Sequence, residues 1–130
     1  MELKIGRADS PLELTISEKG YGFITIEKGV ITDFDELLAS SVQAVDDRGI
    51  STLIVAYVYA ERDPDEEELK KWIGKSLEAE LEMLIFASKS AEVKNIVKDL
   101  NKEYENLSIL CFASLTYSQG YVQNYSSFTQ

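Results

Sequence analysis

The sequence predicts a single α/β domain over residues 1–130, built on a mixed sheet with antiparallel strands at both ends and about three helices. Three observations indicate this class. Alternating apolar residues fill the first third of the chain, helical apolar stripes then alternate with strand-like apolar runs, and a last apolar run precedes a turn. The length of 130 residues is that of one domain.

The first third is predicted to be a meander of short antiparallel strands. Leu12–Ile16 alternates apolar and polar residues, and residues 18–20 supply a turn before a second strand over residues 21–26. A similar turn over residues 27–29 then leads to Val30 and Ile31. These turns give the N-terminal strands their antiparallel direction.

A helix and a central strand are predicted next. Thr32 or Asp33 can cap the helix, apolar residues recur at helical spacing after it, and Gly49 ends it in the position that favours a left-handed residue. Residues 52–60 are apolar on both faces, which is typical of a strand in the middle of a covered sheet.

The second helix is predicted to begin with Asp63 as its cap and Pro64 at its first position, and to end at Gly74. Residues 77–87 fit both a helical face and strand alternation. We expect a strand there, because Gly74 interrupts the helix and the alternation of apolar and acidic residues persists.

The last third is predicted to hold one helix and a C-terminal hairpin. The helix begins at Ser90 and shows an apolar stripe. Residues 107–117 form a mostly apolar strand, Gln119 and Gly120 turn the chain, and residues 121–125 return as an edge strand.

This order of a strand pair, a helix and repeated strand-helix units resembles that of the regulatory STAS domains. The resemblance implies a regulatory role and an α/β fold, and it rests on the order of elements. In that family a phosphorylatable serine usually begins the helix after the central strand. This chain departs from that pattern, because it has Glu61, Arg62, Asp63 and Pro64 there.

Composition restricts the partners. The net charge is −10 and the pI is near 4.4, so the chain should repel nucleic acid and favour basic protein surfaces. It contains no histidine, which removes the commonest metal ligand and general base, and we expect no cofactor. Cys111 is the lone cysteine, and no signal or membrane-spanning segment is evident, so we expect a cytoplasmic protein without a membrane partner.

Residues 19–24, with the sequence KGYGFI, resemble the base-stacking strand of cold-shock and RNA-recognition domains. Tyr21 and Phe23 would lie on one face of a strand, as that motif requires. The aromatic strands that accompany the motif in those families are missing, and the segment precedes every predicted helix. We therefore interpret it as a structural hairpin, whose glycines are explained by the turn and by the close approach of a neighbouring backbone.

The leading functional hypothesis is a non-catalytic binding or regulatory module, such as an inhibitor, an immunity-type protein or an adaptor. An acidic surface would bind a basic protein, and a tyrosine-rich C-terminal edge would bind a partner or a second copy. The residues of the acidic surface are Glu66, Glu67, Glu78, Glu80 and Glu82, and those of the edge are Tyr117, Tyr121 and Tyr125.

The alternative hypothesis is a small carboxylate-based enzyme or ligand-binding domain. Glu61, Arg62 and Asp63 follow the central strand, where open α/β sheets bind their ligands. Asp33 and Asp35, at the start of the first helix, would approach them. Such carboxylates could bind a hard divalent cation, or they could serve only as caps and solvated charges.

Overall fold

The computed structural model describes residues 3–5, 12–26, 34–58, 60 and 62–129, which form an α/β structure with six strands and four helices. The elements are β1 (Leu3–Ile5), β2 (Leu12–Ile16), β3 (Gly22–Ile26), α1 (Phe34–Asp47), β4 (Thr52–Ala56), α2 (Glu66–Glu78), β5 (Met83–Ala87), α3 (Ala91–Glu103), β6 (Ser108–Phe112) and α4 (Leu115–Thr129).

All six strands form one sheet in which the spatial order is the chain order. β1, β2 and β3 pair antiparallel, whereas β3, β4, β5 and β6 pair parallel. The prediction of a mixed α/β sheet with antiparallel strands at its N-terminal end is therefore confirmed. Each parallel pair is connected through one helix, as a crossover requires.

The two faces of the sheet are covered differently. Side chains of α1, α2 and α3 pack against one face, which we call the three-helix face. Its centre contains Leu53, Val55 and Leu84, none of which is exposed. On the opposite face, which we call the α4 face, Val122 of α4 packs with Ile54 and other strand residues. Alternation along each strand sends its apolar residues to both faces.

Caps set the ends of the helices. Gly49 follows α1 with a φ of 69°, as predicted for a left-handed stop, and Ser90 caps α3 by accepting a hydrogen bond from the Val93 N–H. The cap of α2 is Asp65, not Asp63 as the sequence predicted, because the Asp65 side chain accepts from the N–H of Glu68 at 2.8 Å. The predicted caps of α1, Thr32 and Asp33, lie outside the described residues, as do residues 27–31.

The prediction of a strand over residues 77–87 is half wrong. α2 continues through Gly74 to Glu78, and only residues 83–87 form the strand β5. A turn separates the two elements: Glu80 adopts a φ of 57°, and the N–H of Leu81 donates to the carbonyl of Ser76 at 3.0 Å. Gly74 does not end α2 because apolar residues on both sides of it hold the helix against the core.

The predicted C-terminal hairpin is wrong, because residues 115–129 form the helix α4. The predicted strand over residues 107–117 ends at Phe112, and the described part of the chain holds four helices where about three were predicted. Ser114 begins α4: its Oγ accepts from the N–H of Tyr117 at 3.0 Å, and its carbonyl accepts from the N–H of Ser118 at 3.2 Å. This hydroxyl capping is the usual start of a helix.

The glycine-rich segment of residues 19–24 is a structural part of the sheet. Gly20 lies in a turn with a φ of 91°, and a Cβ at Gly22 would lie 2.9 Å from Cγ2 of Val45 on α1. Tyr21 is only 3% exposed, and its ring contacts that of Phe23 at 6.2 Å between centroids. A base therefore cannot stack on Tyr21 as the stacking motif requires.

Candidate functional site

The segment that follows β4 carries a polar network between the sheet and α2. The N–H of Tyr57 donates to the carbonyl of Ala87, which extends the sheet by one residue. The Tyr57 hydroxyl accepts from Nε1 of buried Trp72 at 2.9 Å, and the Glu68 carboxylate lies close enough to act on it electrostatically. Burial and the neighbouring Glu68 carboxylate raise the pKa of Tyr57 far above its usual range. The phenol therefore stays neutral, and as the acceptor of the Trp72 hydrogen bond it connects the end of β4 to α2.

Glu68 is the link between this network and the surface. Its carboxylate is 13% exposed and accepts from Arg62 at 2.9 Å, while its backbone N–H donates to the cap Asp65. Arg62 also donates to the carbonyl of Asp63 at 3.2 Å. The first turn of α2 is thus held by the Asp65 cap and by the ion pair of Arg62 with Glu68.

The remaining acids at this end of α2 face solvent. Asp63, Glu66 and Glu67 are exposed, and Asp65 is exposed while its side chain caps the helix. We call these four residues the α2 acidic surface. Acidic side chains at a helix N-terminus are stabilised by the helix dipole. The surface therefore presents negative charge on a rigid, hydrogen-bonded support.

A groove between α1 and α2 adjoins this surface. Asp35 accepts from Lys71 at 3.0 Å across it, and this hydrogen bond raises the pKa of Lys71. The Lys71 ammonium also lies 5.9 Å from the centre of the Phe34 ring. The groove encloses about 390 Å³, and its lining is formed by Asp35, Leu38, Lys71, Gly74, Lys75 and Glu78.

The predicted cation site is only partly described. Asp33 and Glu61 lie outside the described residues. Asp35 pairs with Lys71 and Arg62 pairs with Glu68, so each of these two predicted residues already has an oppositely charged partner. Among the described residues, no group of three or more acidic or cysteine side chains is placed to hold a metal ion.

The predicted acidic stripe does not form along a strand. Glu78 is the last residue of α2, where it accepts from Lys75 at 3.1 Å, and Glu80 and Glu82 lie in the turn before β5. Glu66 and Glu67 are at the opposite end of α2. The five predicted acids therefore occupy two separate places. Only Glu66 and Glu67, at the start of α2, lie beside the ion pair of Arg62 with Glu68.

The three predicted tyrosines lie on α4, not on an edge strand. Tyr117 is 63% exposed, and its ring lies 5.0 Å from that of Phe112 on β6. Tyr121 is half-buried against the same Phe112 ring, also at 5.0 Å. Tyr125 is one helical turn further along α4.

Sequence reasoning missed Tyr57, Glu68 and Trp72. Tyr57 is in an apolar run, and Trp72 falls on the apolar side of a helix, so the sequence alone indicates ordinary core residues. The one available signal was that a buried phenol and a buried indole each need a polar partner. Glu68 was indistinguishable from Glu66 and Glu67, because only the angle around the helix separates them.

The sequence matches no known protein-family model, and a comparison with curated proteins finds no significant match. Among solved structures, the chain is similar to an anti-sigma factor antagonist from Mycobacterium paratuberculosis. The two share 11% sequence identity, the alignment covers 95% of each chain, and the TM-score is 0.56. This similarity establishes a shared α/β fold that extends over nearly the whole chain. None of the described helices has the length and apolar character needed to cross a membrane.

Proposed function

We propose that this protein is a regulatory module that acts by binding another protein through the α2 acidic surface. The observation that supports this most directly is the exposure of Asp63, Glu66 and Glu67 at a helix start whose backbone is held by a cap and by an ion pair. A fixed epitope loses little conformational entropy on binding, which favours recognition. The net charge of −10 makes a basic partner surface the complementary one.

The similar solved structure suggests the class of partner. It is an anti-sigma factor antagonist, a name that refers to action against another protein, the anti-sigma factor. A regulatory partner with a basic contact surface is therefore the first class to test. The pairings of Arg62 with Glu68 and of Asp35 with Lys71 support a role in presentation more than in catalysis, because neither pair leaves a carboxylate available as a base.

The test uses charge reversal with a matched control. The purified chain is immobilised at low salt, the proteins that it captures from a lysate of its own organism are identified, and the affinity for the purified partner is then measured. Glu66→Lys and Glu67→Lys should each weaken binding at least tenfold. Glu92→Lys is the control, because Glu92 is also an exposed acid in the first turn of a helix, α3.

The same measurement separates recognition from folding. All three reversals place a cation near a helix N-terminus, which costs about 0.3–1 kcal/mol. Their thermal stabilities should therefore fall together, while only the α2 variants lose affinity. Equal affinity of the α2 variants and the Glu92 variant for the partner would overturn the proposed surface.

A further inference from the structure

The C-terminal part of the chain differs in charge from the rest. All 13 basic and 23 acidic residues lie within residues 1–105, and residues 106–130 contain none. This uncharged segment forms β6 and α4. In a protein with a net charge of −10, a surface built from it is one where two identical molecules can meet without bringing carboxylates together.

β6 is an outer strand of the sheet, and part of its hydrogen-bonding edge faces away from β5. The N–H of Ser108 donates to Glu82, and the carbonyl of Phe112 accepts from Ser88, so residues 108, 110 and 112 pair with β5. The alternate residues, Ile109 and Cys111, direct their backbone groups outward.

One of these outward groups is already bonded. The N–H of Ile109 donates to Oδ1 of Asn101 on α3 at 2.8 Å. In the described part of the chain, no protein group bonds the carbonyl of Ile109 or the N–H of Cys111. Ile109 is only 1% exposed, so the accessible backbone groups of this edge are those of half-buried Cys111. Open strand edges are the usual route to edge-to-edge association.

An aromatic surface continues from this edge onto α4. Phe112 is half-buried, and the rings of Tyr117 and Tyr121 both lie 5.0 Å from it. Tyr117 is the most exposed large apolar side chain among the described residues, at 63%. Exposed tyrosine beside an open strand edge is typical of an association surface, because the ring buries a large area at a small entropic cost.

We propose that a second copy of this chain pairs with β6 in antiparallel orientation around a twofold axis at Cys111. The N–H and carbonyl of Cys111 would then bond those of Cys111 in the other copy. On the α4 face, Phe112 of each copy faces Leu110 of the other, and Tyr117 covers the junction. The two sheets become one continuous sheet, and the interface is isologous.

Charge selects a second copy over a basic partner at this place. The surface of β6 and α4 offers no carboxylate to a cation, so it lacks complementarity for a basic protein. The two associations should also respond oppositely to salt. Screening weakens the repulsion between two acidic molecules and therefore strengthens self-association, whereas it weakens binding of a basic protein.

Sedimentation of the full chain from low to high micromolar concentration tests this surface. We expect a monomer–dimer equilibrium that shifts toward dimer as salt is raised. Tyr117→Glu should weaken dimerisation at least tenfold, and Asn95→Glu, which adds the same charge on the exposed side of α3, should not. A monomer at all concentrations, or equal dimerisation of the two variants, would overturn the proposal.

Mild oxidation provides an independent readout that needs no mutation. Directly opposed residues in a hydrogen-bonded antiparallel pair have Cα atoms about 5.5 Å apart, within the range of a disulfide. Because Cys111 is the single cysteine, any disulfide-linked dimer identifies its position. We expect the cross-linked yield to rise with salt and to fall in Tyr117→Glu. An equal cross-linked yield in the unmodified protein and in Tyr117→Glu would contradict pairing at β6.

Discussion

The two faces of the sheet are built by different means. On the three-helix face, α1, α2 and α3 each have a clear apolar stripe, and charged residues occupy the opposite side of each helix. On the α4 face, one helix without charged residues covers the strands, and its apolar residues are mixed with Ser, Thr, Gln and Asn. The difference shows that helices with separate apolar and charged sides build the larger core, whereas α4 is held mostly by its packing on the sheet.

The largest effect is expected from Trp72→Ala, on the three-helix face. Trp72 is fully buried, its indole contacts Phe34 edge-on at 5.7 Å, and its Nε1 bonds Tyr57. Its removal should lower the free energy of unfolding by about 3–5 kcal/mol, because it leaves a cavity and an unpaired phenol. Urea denaturation followed by circular dichroism measures this change. A loss below about 1 kcal/mol would show that this face is not the main core.

A matched pair of valines compares the two faces directly. Val97 on α3 is 1% exposed and Val122 on α4 is 4% exposed, so Val→Ala removes the same groups from similar burial. We expect a loss of about 2 kcal/mol for Val97→Ala and about 1 kcal/mol for Val122→Ala, because a single covering helix can relax toward the sheet. Equal losses in denaturant titrations would mean that both layers are equally rigid.

A gain in stability is expected from Ser76→Ala. Ser76 is fully buried on α2, and its hydroxyl has no hydrogen-bond partner among the described residues. Replacing it should raise the free energy of unfolding by about 1 kcal/mol, since an unpaired buried hydroxyl is costly and alanine favours a helix. Thermal unfolding would detect this gain. A decrease would indicate that a water bonds the hydroxyl. Ser114→Ala is the comparison: it removes a cap of α4 and should lower the free energy of unfolding.

The smallest effects concern two helix glycines, one on each side of the sheet. A Cβ at Gly74 in α2 or at Gly120 in α4 would meet no atom within 4 Å. Alanine at either position should therefore stabilise the protein by about 0.5–1 kcal/mol through helix propensity. Differential scanning calorimetry of the two variants sharpens the comparison. A gain at Gly74 without one at Gly120 would show that α4 contributes little to the cooperative unfolding unit.

Prediction from sequence succeeded where local chemistry decides the structure. Gly49 and Ser90 ended and began helices as expected, and the apolar run of β4 was identified as a central strand. It failed at residues 77–87, because the alternation of leucine and glutamate also satisfies a helical stripe, and only the turn at Glu80 decides between them.

The C-terminal helix was missed for a different reason. Tyr117, Tyr121 and Tyr125 are four residues apart, which is helical spacing. Their aromatic character, and Gly120 between the first two of them, favoured two strands joined by a turn. The candidate site was predicted in part. The position after β4 was expected from the sheet topology, whereas the burial of the Glu68 side chain near Tyr57, which is eleven residues away in the chain, has no signal in the sequence.

The agreement between strand order and chain order has a consequence for synthesis. Each strand leaves the ribosome next to the strand with which it will pair, so every crossover can form without waiting for a distant segment. α4 is translated after all six strands, and until it emerges the apolar side chains of Ile54 and Ile85 lack their cover. The nascent protein should therefore bind a chaperone most strongly during the interval between translation of β6 and of α4.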